Sequence, residues 1–331
     1  MRIAQVGVYP VSLECIKGGV ESSVYGLSLS LLNSLSSDGT ESLHRVDVFD
    51  MPRLGNGDGL EVKGDRVDVI GDRLRVHRYS NPGKHNEDAL QRVDEMVLDI
   101  IAIHPDVVHV HGTGPVSSAI YRAIKQQGIP VMLTIHGLLR VEKKNKLHQA
   151  WQNLHRGTDR LAALCKKRIP ALVKAFYQYI RQSRVECNLL EYADRAIVDT
   201  GYLLDALKEY PVKHLPELYV IPQGANERFY EQEKRETRSE KRELRTEKRI
   251  LCVGAFGVRK SQIELVRAFE LLRSHGVETK LVLCGVVAEE AYFNQLKSVV
   301  SASAYKDNIE IKENLPFEQL MEEYRNATIF A

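Results

Sequence analysis

The sequence predicts an α/β protein built on parallel sheets, and three observations favour this class. Short runs rich in β-branched residues alternate with longer stretches of helical periodicity, as expected when helices connect parallel strands. The chain has 331 residues, enough for about two domains that each bury a core. Its composition, 44% hydrophobic and 27% charged, is globular and excludes disorder, collagen-like repeats and coiled coil as descriptions of the whole.

The elements of the first domain follow in order along the chain. Helices are predicted over 21–35 and 87–103, because each range carries an apolar stripe at helical spacing. Each strand is followed by turn residues, which is typical of a doubly wound sheet. The predicted strands are RIAQVGVY, RVDVFDM, LRVHRYS, DVVHVHG, PVMLTIHG, RAIVDTG and YVIPQG.

A highly charged segment separates these strands from a second group. The segment over 231–249 reads EQEKRETRSEKRELRTEKR and predicts a solvated linker or a surface helix. We therefore predict a first domain over 1–228, a linker over 229–248 and a second domain over 249–331. The second domain has the strands RILCVGAF, KLVLCG and NIEIKENL, and RNATIFA begins a fourth, so we expect a partial domain and a chain that is a truncated piece of a longer protein.

Charge and cysteine usage limit the partners and the compartment. A net charge of +2 gives no bulk field that would attract nucleic acid, and no nucleic-acid recognition module accompanies it. The five cysteines are scattered, without a CxxC pair, which indicates core residues in a reducing compartment. The start of the chain lacks a signal-peptide pattern, and no run of 18 apolar residues occurs, so we predict a cytoplasmic location.

Two glycine-containing loops are candidate phosphate sites. KGGVESS, over 17–23, follows the first strand, and its paired glycines allow close approach of a ligand, although a simple turn explains them equally well. In VGAFGVRKSQIE, Ser261 and Glu264 form a capping-box pattern that predicts a helix start at Ser261. Arg259 and Lys260 then precede a helix N-terminus, where a bound phosphate would relieve the repulsion between like charges. The alternative is a pair of solvated surface cations.

Three histidines lie at the ends of predicted strands. His109 and His111 lie two residues apart on one strand, so they share a face, and His136 ends the next strand. A histidine at a strand end is a candidate polar or acid–base group, but a structural, hydrogen-bonded histidine is an equal alternative. No third ligand stands at a suggestive spacing, and we expect no metal site.

A basic stretch interrupts the first domain. Between Arg160 and Arg184 there are seven Lys or Arg and no Asp or Glu, with leucines and aromatic residues between them. This pattern predicts peripheral contact of 160–184 with an anionic membrane, at the inner face for a cytoplasmic chain. The alternative is a long helical excursion with its cations in water.

In this order, the segments resemble the retaining glycosyltransferases of the GT-B fold, in particular glycosyltransferase family 4. The resemblance rests on the glycine loop, DVVHVHG, TIHG, a helical insertion, ADRAIVDTGYLLDAL, IPQGANERF and VGAFGVRK. The family usually has ADxVIxxS, IPNGVDxxxF and VGRxxxxKG in the last three segments. The resemblance implies two Rossmann-like domains whose parallel sheets face a cleft. It also implies sugar transfer from a nucleotide diphosphate donor to a glycan or lipid-linked acceptor, without a metal ion or other cofactor.

The resemblance assigns roles residue by residue. Gly18 and Gly19 would approach the donor diphosphate, His136 would face the reacting sugar as the catalytic candidate, and Lys260 would neutralise the donor phosphates. Arg259 is a further candidate for binding the donor phosphates. Glu21, His111 and Gly285 are other candidates in the cleft. Acceptor choice would lie in variable loops over 52–73 and 138–153.

The chain departs from the family pattern in places that bear on activity. Ala255 replaces the usual arginine, with Arg259 as a candidate replacement, and Gln223 and Asn226 replace the usual Asn and Asp. The family's E-x7-E segment would follow Ala331, so we expect weak or absent activity for a chain that ends there. The alternative function is a non-catalytic remnant or partner subunit that binds lipid or protein, and an epimerase or phosphorylase is a third.

Overall fold

The protein is described here by a computed structural model, and the chain divides into two compact units, 1–224 and 225–331. The structure describes residues 1–10, 19–34, 43–50, 65–79, 86–112, 115–155, 168–224 and 248–331. The predicted linker over 229–248 lies outside these residues, apart from Lys248.

The first unit is built on a large sheet. Among the described residues this sheet has eight strands in the order β3-β4-β2-β1-β5-β6-β7-β8. All neighbouring pairs are parallel except β3 with β4, so the predicted α/β class is confirmed. The strands are β1 (Arg2–Gly7), β2 (Arg45–Asp50), β3 (Arg66–Ile70), β4 (Leu74–Arg78), β5 (Val107–His111), β6 (Val131–Ile135), β7 (Arg195–Val198) and β8 (Glu217–Val220).

Helices cover both faces of this sheet. On one face Val24 of the first helix joins a core with Val46, Val48, Leu74 and Val76 of the neighbouring strands. On the other face the second, third and fifth helices pack on β1, β5, β6 and β7. The helices are α1 (Gly19–Leu32), α2 (Asn86–Ala102), α3 (Pro115–Gln126), α4 (Leu139–His155), α5 (Arg168–Tyr192) and α6 (Gly201–Lys208). The predicted helices over 21–35 and 87–103 are thereby confirmed as α1 and α2.

Two segments predicted as loops contain regular structure. In the range 52–73, residues 66–70 form β3, an edge strand that runs antiparallel to β4. Val67 and Val69 are at least half exposed, so this edge strand contributes neither of these valines to the core. Most of the range 138–153 is helical, in α4.

The second unit is a smaller doubly wound sheet. Among its described residues four parallel strands lie in the order β11-β10-β9-β12. The strands are β9 (Arg249–Val253), β10 (Lys280–Gly285), β11 (Ile309–Glu313) and β12 (Ile329–Phe330). Helices α7 (Gln262–Ser274) and α8 (Glu290–Ala302) pack on one face, and α9 (Phe317–Asn326) packs on the other. The strand predicted in RNATIFA is confirmed as β12.

Candidate functional site

Three histidine rings lie in a row near the carboxyl ends of β5 and β6. The ring centroids of His109 and His111 are 4.3 Å apart, and those of His111 and His136 are 5.5 Å apart. His109 and His111 are buried, and His136 is half-buried at the start of the loop that follows β6. His109 Nε2 lies 2.7 Å from the Thr134 hydroxyl oxygen. Two of the predicted site residues, His111 and His136, are therefore brought together.

A hydrogen-bond chain fixes the proton positions on two of these rings. The Nε2 amide group of Gln223 donates to His136 Nδ1 over 2.8 Å, so the proton of neutral His136 lies on Nε2. His136 Nε2 then donates to His111 Nδ1 over 3.2 Å, which leaves the His111 proton on Nε2. That Nε2 atom is buried and has no hydrogen-bond partner among the described residues.

The rings are held neutral by their surroundings. Burial, together with the nearby charge of His136, lowers the pKa of His109 to about 3. Burial and the two neighbouring rings lower the pKa of His111 well below its usual range. Burial also lowers the pKa of His136, and the negative charge of Asp199 opposes that effect. At neutral pH this cluster therefore offers hydrogen bonds rather than positive charge.

The end of β1 lies next to this cluster. A β-carbon on Gly7 would lie 2.7 Å from Val24 Cγ2 and 3.3 Å from His111 Cβ, so only glycine lets β1 end this close to α1 and β5. Gly18 lies outside the described residues. Gly19 is already the first residue of α1, so residues 19–23 are helical rather than part of the predicted loop. Glu21 is buried in the first turn.

A buried arginine, Arg78, binds the residues that follow β1. The Arg78 guanidinium donates to the carbonyl oxygens of Tyr9 at 3.2 Å and Pro10 at 2.9 Å. It also pairs with Asp50 at 2.8 Å and with Asp68 at 2.6 Å. Asp50 in turn accepts a hydrogen bond from the Tyr9 backbone amide. Three hydrogen bonds thus fix Tyr9 and Pro10, the last described residues before position 11.

The second unit has a close backbone contact at the ends of β9 and β10. A β-carbon on Gly285 would lie 2.0 Å from the Gly254 carbonyl oxygen, so no side chain fits at Gly285. The Gly254 amide donates to the Cys284 carbonyl over 2.9 Å. Gln262 of α7 also holds this loop, because its side-chain amide donates a hydrogen bond to the Ala255 carbonyl over 3.0 Å. The loop after β9 is therefore held by backbone contacts and by one buried amide.

Lys260 lies across Gly254. Its Cδ and Cε atoms would each be 3.5 Å from a β-carbon on Gly254, an ordinary van der Waals contact. Its charge reaches Cys252, where burial raises the pKa of the thiol and Lys260 opposes that rise. Arg259 and Lys260 are both exposed in a 3₁₀ turn over Val258–Lys260. The structure thus gathers Lys260 and Gly285 around Gly254, while Arg259 has a solvated side chain.

The predicted capping box at Ser261 is wrong. Ser261 has φ 53° and ψ 33°, in the left-handed region, and its side chain does not cap α7, which begins at Gln262. The Tyr292 hydroxyl of α8 instead accepts a hydrogen bond from the Ile263 amide, at 3.0 Å. The pattern S-x-x-E is local, but the acceptor that satisfies this amide comes from another helix.

The sequence did not predict three residues that contact or flank the candidate site, namely Gln223, Gly7 and Arg78. Gln223 and His136 are 87 residues apart, and no spacing rule connects them. Gln223 was recognisable only as a departure from the family's usual asparagine. Metal-binding clusters of three or more His, Cys, Asp or Glu do not occur within the described part of the chain. Among the described helices, none has the length and apolarity needed to cross a bilayer.

Comparisons with known proteins agree with this architecture. Residues 17–229 match the family model for Glycosyltransferase Family 4, and residues 233–331 match that for Glycosyl transferases group 1. A search of curated proteins finds no match. The fold and these matches define a glycosyltransferase of the GT-B class. More narrowly, the chain belongs to glycosyltransferase family 4, as the sequence predicts.

Solved structures share the fold at low sequence identity. One is a UDP-forming α,α-trehalose-phosphate synthase from Burkholderia xenovorans in complex with glucose-6-phosphate, with TM-score 0.63, 15% identity and coverage of 99% of this chain and 78% of the other. Another is the catalytic domain of starch synthase IV from Arabidopsis thaliana bound to ADP and acarbose, with TM-score 0.54, 12% identity and coverage of 99% and 77%. UDP-GlcNAc 2-epimerase from Neisseria meningitidis aligns at TM-score 0.50 and 14% identity, covering 100% and 76%.

Proposed function

We propose that this chain transfers a sugar from a nucleotide diphosphate donor to a glycan or lipid-linked acceptor, with retention of configuration. The observation that carries the proposal is the packing of Lys260 across Gly254, beside the backbone contact of Gly254 with Gly285. Glycines at strand ends let a diphosphate approach the backbone, and a lysine beside them supplies the opposite charge. Solved structures of the same fold include complexes with ADP and with UDP-GlcNAc.

The chemistry requires stabilisation of the leaving group. Breaking the bond between sugar and phosphate develops negative charge on the nucleotide diphosphate, and a fixed cation stabilises this charge more in the transition state than in the ground state. We expect the reaction to proceed without a metal ion, so that Lys260, with Arg259 as a second cation, supplies this charge. Retention is supported by family membership, and by a solved trehalose-6-phosphate synthase studied for glycosyl transfer with retention.

His136 would act as a neutral hydrogen-bonding group towards the sugar. Burial lowers the pKa of His136, so the imidazole is expected to be neutral at neutral pH. The positive charge at the leaving group would come from Lys260 instead. The Nδ1 atom of His136 is occupied by Gln223, whose side chain is exposed and free to turn away when a sugar hydroxyl takes its place. His111 would hold the other side of the His136 ring, and Glu21 and Gly19 would lie at the start of α1.

Calorimetric titration with UDP, GDP and ADP tests the proposal. We expect selective binding of one nucleotide, weakened by about 1–3 kcal/mol in Lys260→Ala because a charge-assisted contact is lost. Lys306→Ala is the matched control, since Lys306 is an exposed lysine of a different 3₁₀ turn in the same unit. Arg259→Ala then shows whether the second cation contributes.

Two outcomes would contradict the proposal. Binding of none of the nucleotides would favour the alternative, a non-catalytic remnant or partner subunit that binds lipid or protein. Release of a modified sugar from the donor in the absence of any acceptor would favour the epimerase alternative. The cytoplasmic location stays a prediction that rests on the scattered cysteines. Peripheral membrane contact over 160–184 is a separate prediction, which the nucleotide titration does not test.

A further inference from the structure

Helix α5 presents an apolar stripe to solvent. The exposed fractions of Val173, Phe176, Tyr177 and Ile180 are 60%, 55%, 64% and 41%. Their spacing is i, i+3, i+4 and i+7, which places all four side chains on one side of an α-helix. Single exposed apolar residues are common on protein surfaces, but a continuous stripe indicates a surface that binds something.

The side of α5 opposite this stripe is buried and carries polar residues as well as Leu189, which lies in the core of the first unit. Gln182 and Glu186 lie on that side and are 9% and 2% exposed. Glu186 accepts a hydrogen bond from the Gln182 amide over 3.0 Å and another from the Tyr210 hydroxyl. The helix therefore already buries one face against the first unit, and the four apolar side chains lie on the other face, where polar residues are usual. Packing inside the first unit does not explain the four apolar side chains.

The surroundings of the stripe are cationic. Helices α4 and α5 pack against each other. Over the ranges 143–152 and 170–184 of these helices, the sequence has six Lys or Arg and no Asp or Glu. Arg184 continues the stripe one turn beyond Ile180, and Lys174 and Arg181 follow one flank of it; all three are exposed. Trp151, on α4, is 54% exposed.

We propose that this surface of α5 lies on an anionic lipid bilayer, with the four apolar residues at the level of the headgroups and the cations against lipid phosphates. An apolar stripe flanked by lysine and arginine is the combination that binds such an interface. A second copy of the chain is a poorer partner, because a two-fold contact through the stripe would bring like charges together. This inference is independent of the proposed sugar transfer, since it concerns binding to a surface.

Vesicle flotation of the full chain tests the proposal. We expect the chain to float with vesicles of phosphatidylcholine and phosphatidylglycerol, and to remain unbound with phosphatidylcholine alone. Phe176→Ser with Ile180→Ser should reduce the bound fraction about tenfold, because the inserted apolar area is lost. Tyr202→Ser is the matched control, since Tyr202 is an aromatic residue of the same unit that is 71% exposed outside the stripe; it should leave binding unchanged.

A charge variant separates the two contributions. Lys174→Gln, Arg181→Gln and Arg184→Gln together should also reduce binding, and added salt should weaken binding of the unaltered chain. These side chains are exposed, so the variants should keep the far-ultraviolet circular dichroism of the parent. The proposal is overturned if anionic vesicles do not bind the chain, or if the stripe variant binds as well as the parent. It is also overturned by light scattering that shows a dimer which the stripe variant converts to a monomer.

Discussion

Replacing Ser261 with glycine should stabilise the second unit. Ser261 has φ 53° and ψ 33°, and a β-carbon in this left-handed region costs roughly 1–2 kcal/mol. Glycine avoids that cost but loses more backbone freedom on folding, roughly 0.5–1 kcal/mol. The net gain is about 0.5–1 kcal/mol. The serine hydroxyl adds little to the native state, because its contact with the Val258 carbonyl is 3.5 Å long and exposed.

Thermal unfolding and amide hydrogen exchange measure this effect. For a domain of this size the gain corresponds to an increase in Tm of about 2–8 °C. A chain of two units need not unfold in one step, so exchange of the α7 amides should be followed separately. We expect slower exchange at the start of α7 in Ser261→Gly than in the parent chain.

Two matched variants show whether the reasoning is right. Ser261→Ala keeps the β-carbon and should give no gain. Ser298→Gly replaces a serine inside α8, whose hydroxyl donates to the Asn294 carbonyl over 2.9 Å, and should destabilise by about 0.5–1 kcal/mol. Equal stabilisation by Ser261→Ala and Ser261→Gly, or a loss of stability in Ser261→Gly, would refute the argument from backbone strain.

Three other predictions concern the first unit. Asp50→Ala leaves the buried Arg78 guanidinium without one carboxylate and should lower the stability of this unit by about 3 kcal/mol in urea unfolding; a loss near zero would contradict this. Because burial lowers the pKa of His109 to about 3 while an unfolded histidine titrates near about 6.5, the unfolded state binds more protons below that pH. Stability should therefore fall as the pH is lowered from about 7 to about 5, and a flat profile would argue against buried neutral histidines. Gln223→Glu places a carboxylate beside His136 and should raise the pKa of its imidazole in an NMR titration, whereas an unchanged or lower pKa would exclude the contact.

Strands with buried side chains were predictable from the sequence. Four of the five residues of β5 are buried, and its run of β-branched residues by itself indicates a strand. In β3 all five residues are at least partly exposed, although the sequence RVDVI alternates polar and apolar residues over its first four positions. The family pattern added the order of the motifs, which no single segment supplies.

Contacts between distant residues were not predictable. The sequence locates His136 at a strand end, but the tautomer of its ring depends on Gln223, which is 87 residues away. At the start of α7 a local pattern predicts the wrong partner. The pattern predicts a cap by Ser261, but the acceptor for the Ile263 amide is the Tyr292 hydroxyl. Sequence patterns identify candidate groups, and the fold decides which partner each group has.

The location of Trp151 has a spectroscopic consequence. It is the single tryptophan of the chain, and it lies on α4, more than half exposed. Its emission therefore reports on the surface of the first unit. The second unit, 225–331, has no tryptophan and carries four of the 14 tyrosines of the chain. Tryptophan emission therefore follows the first unit, whereas tyrosine absorbance sums over both units, and comparing the two signals shows whether melting is a single event.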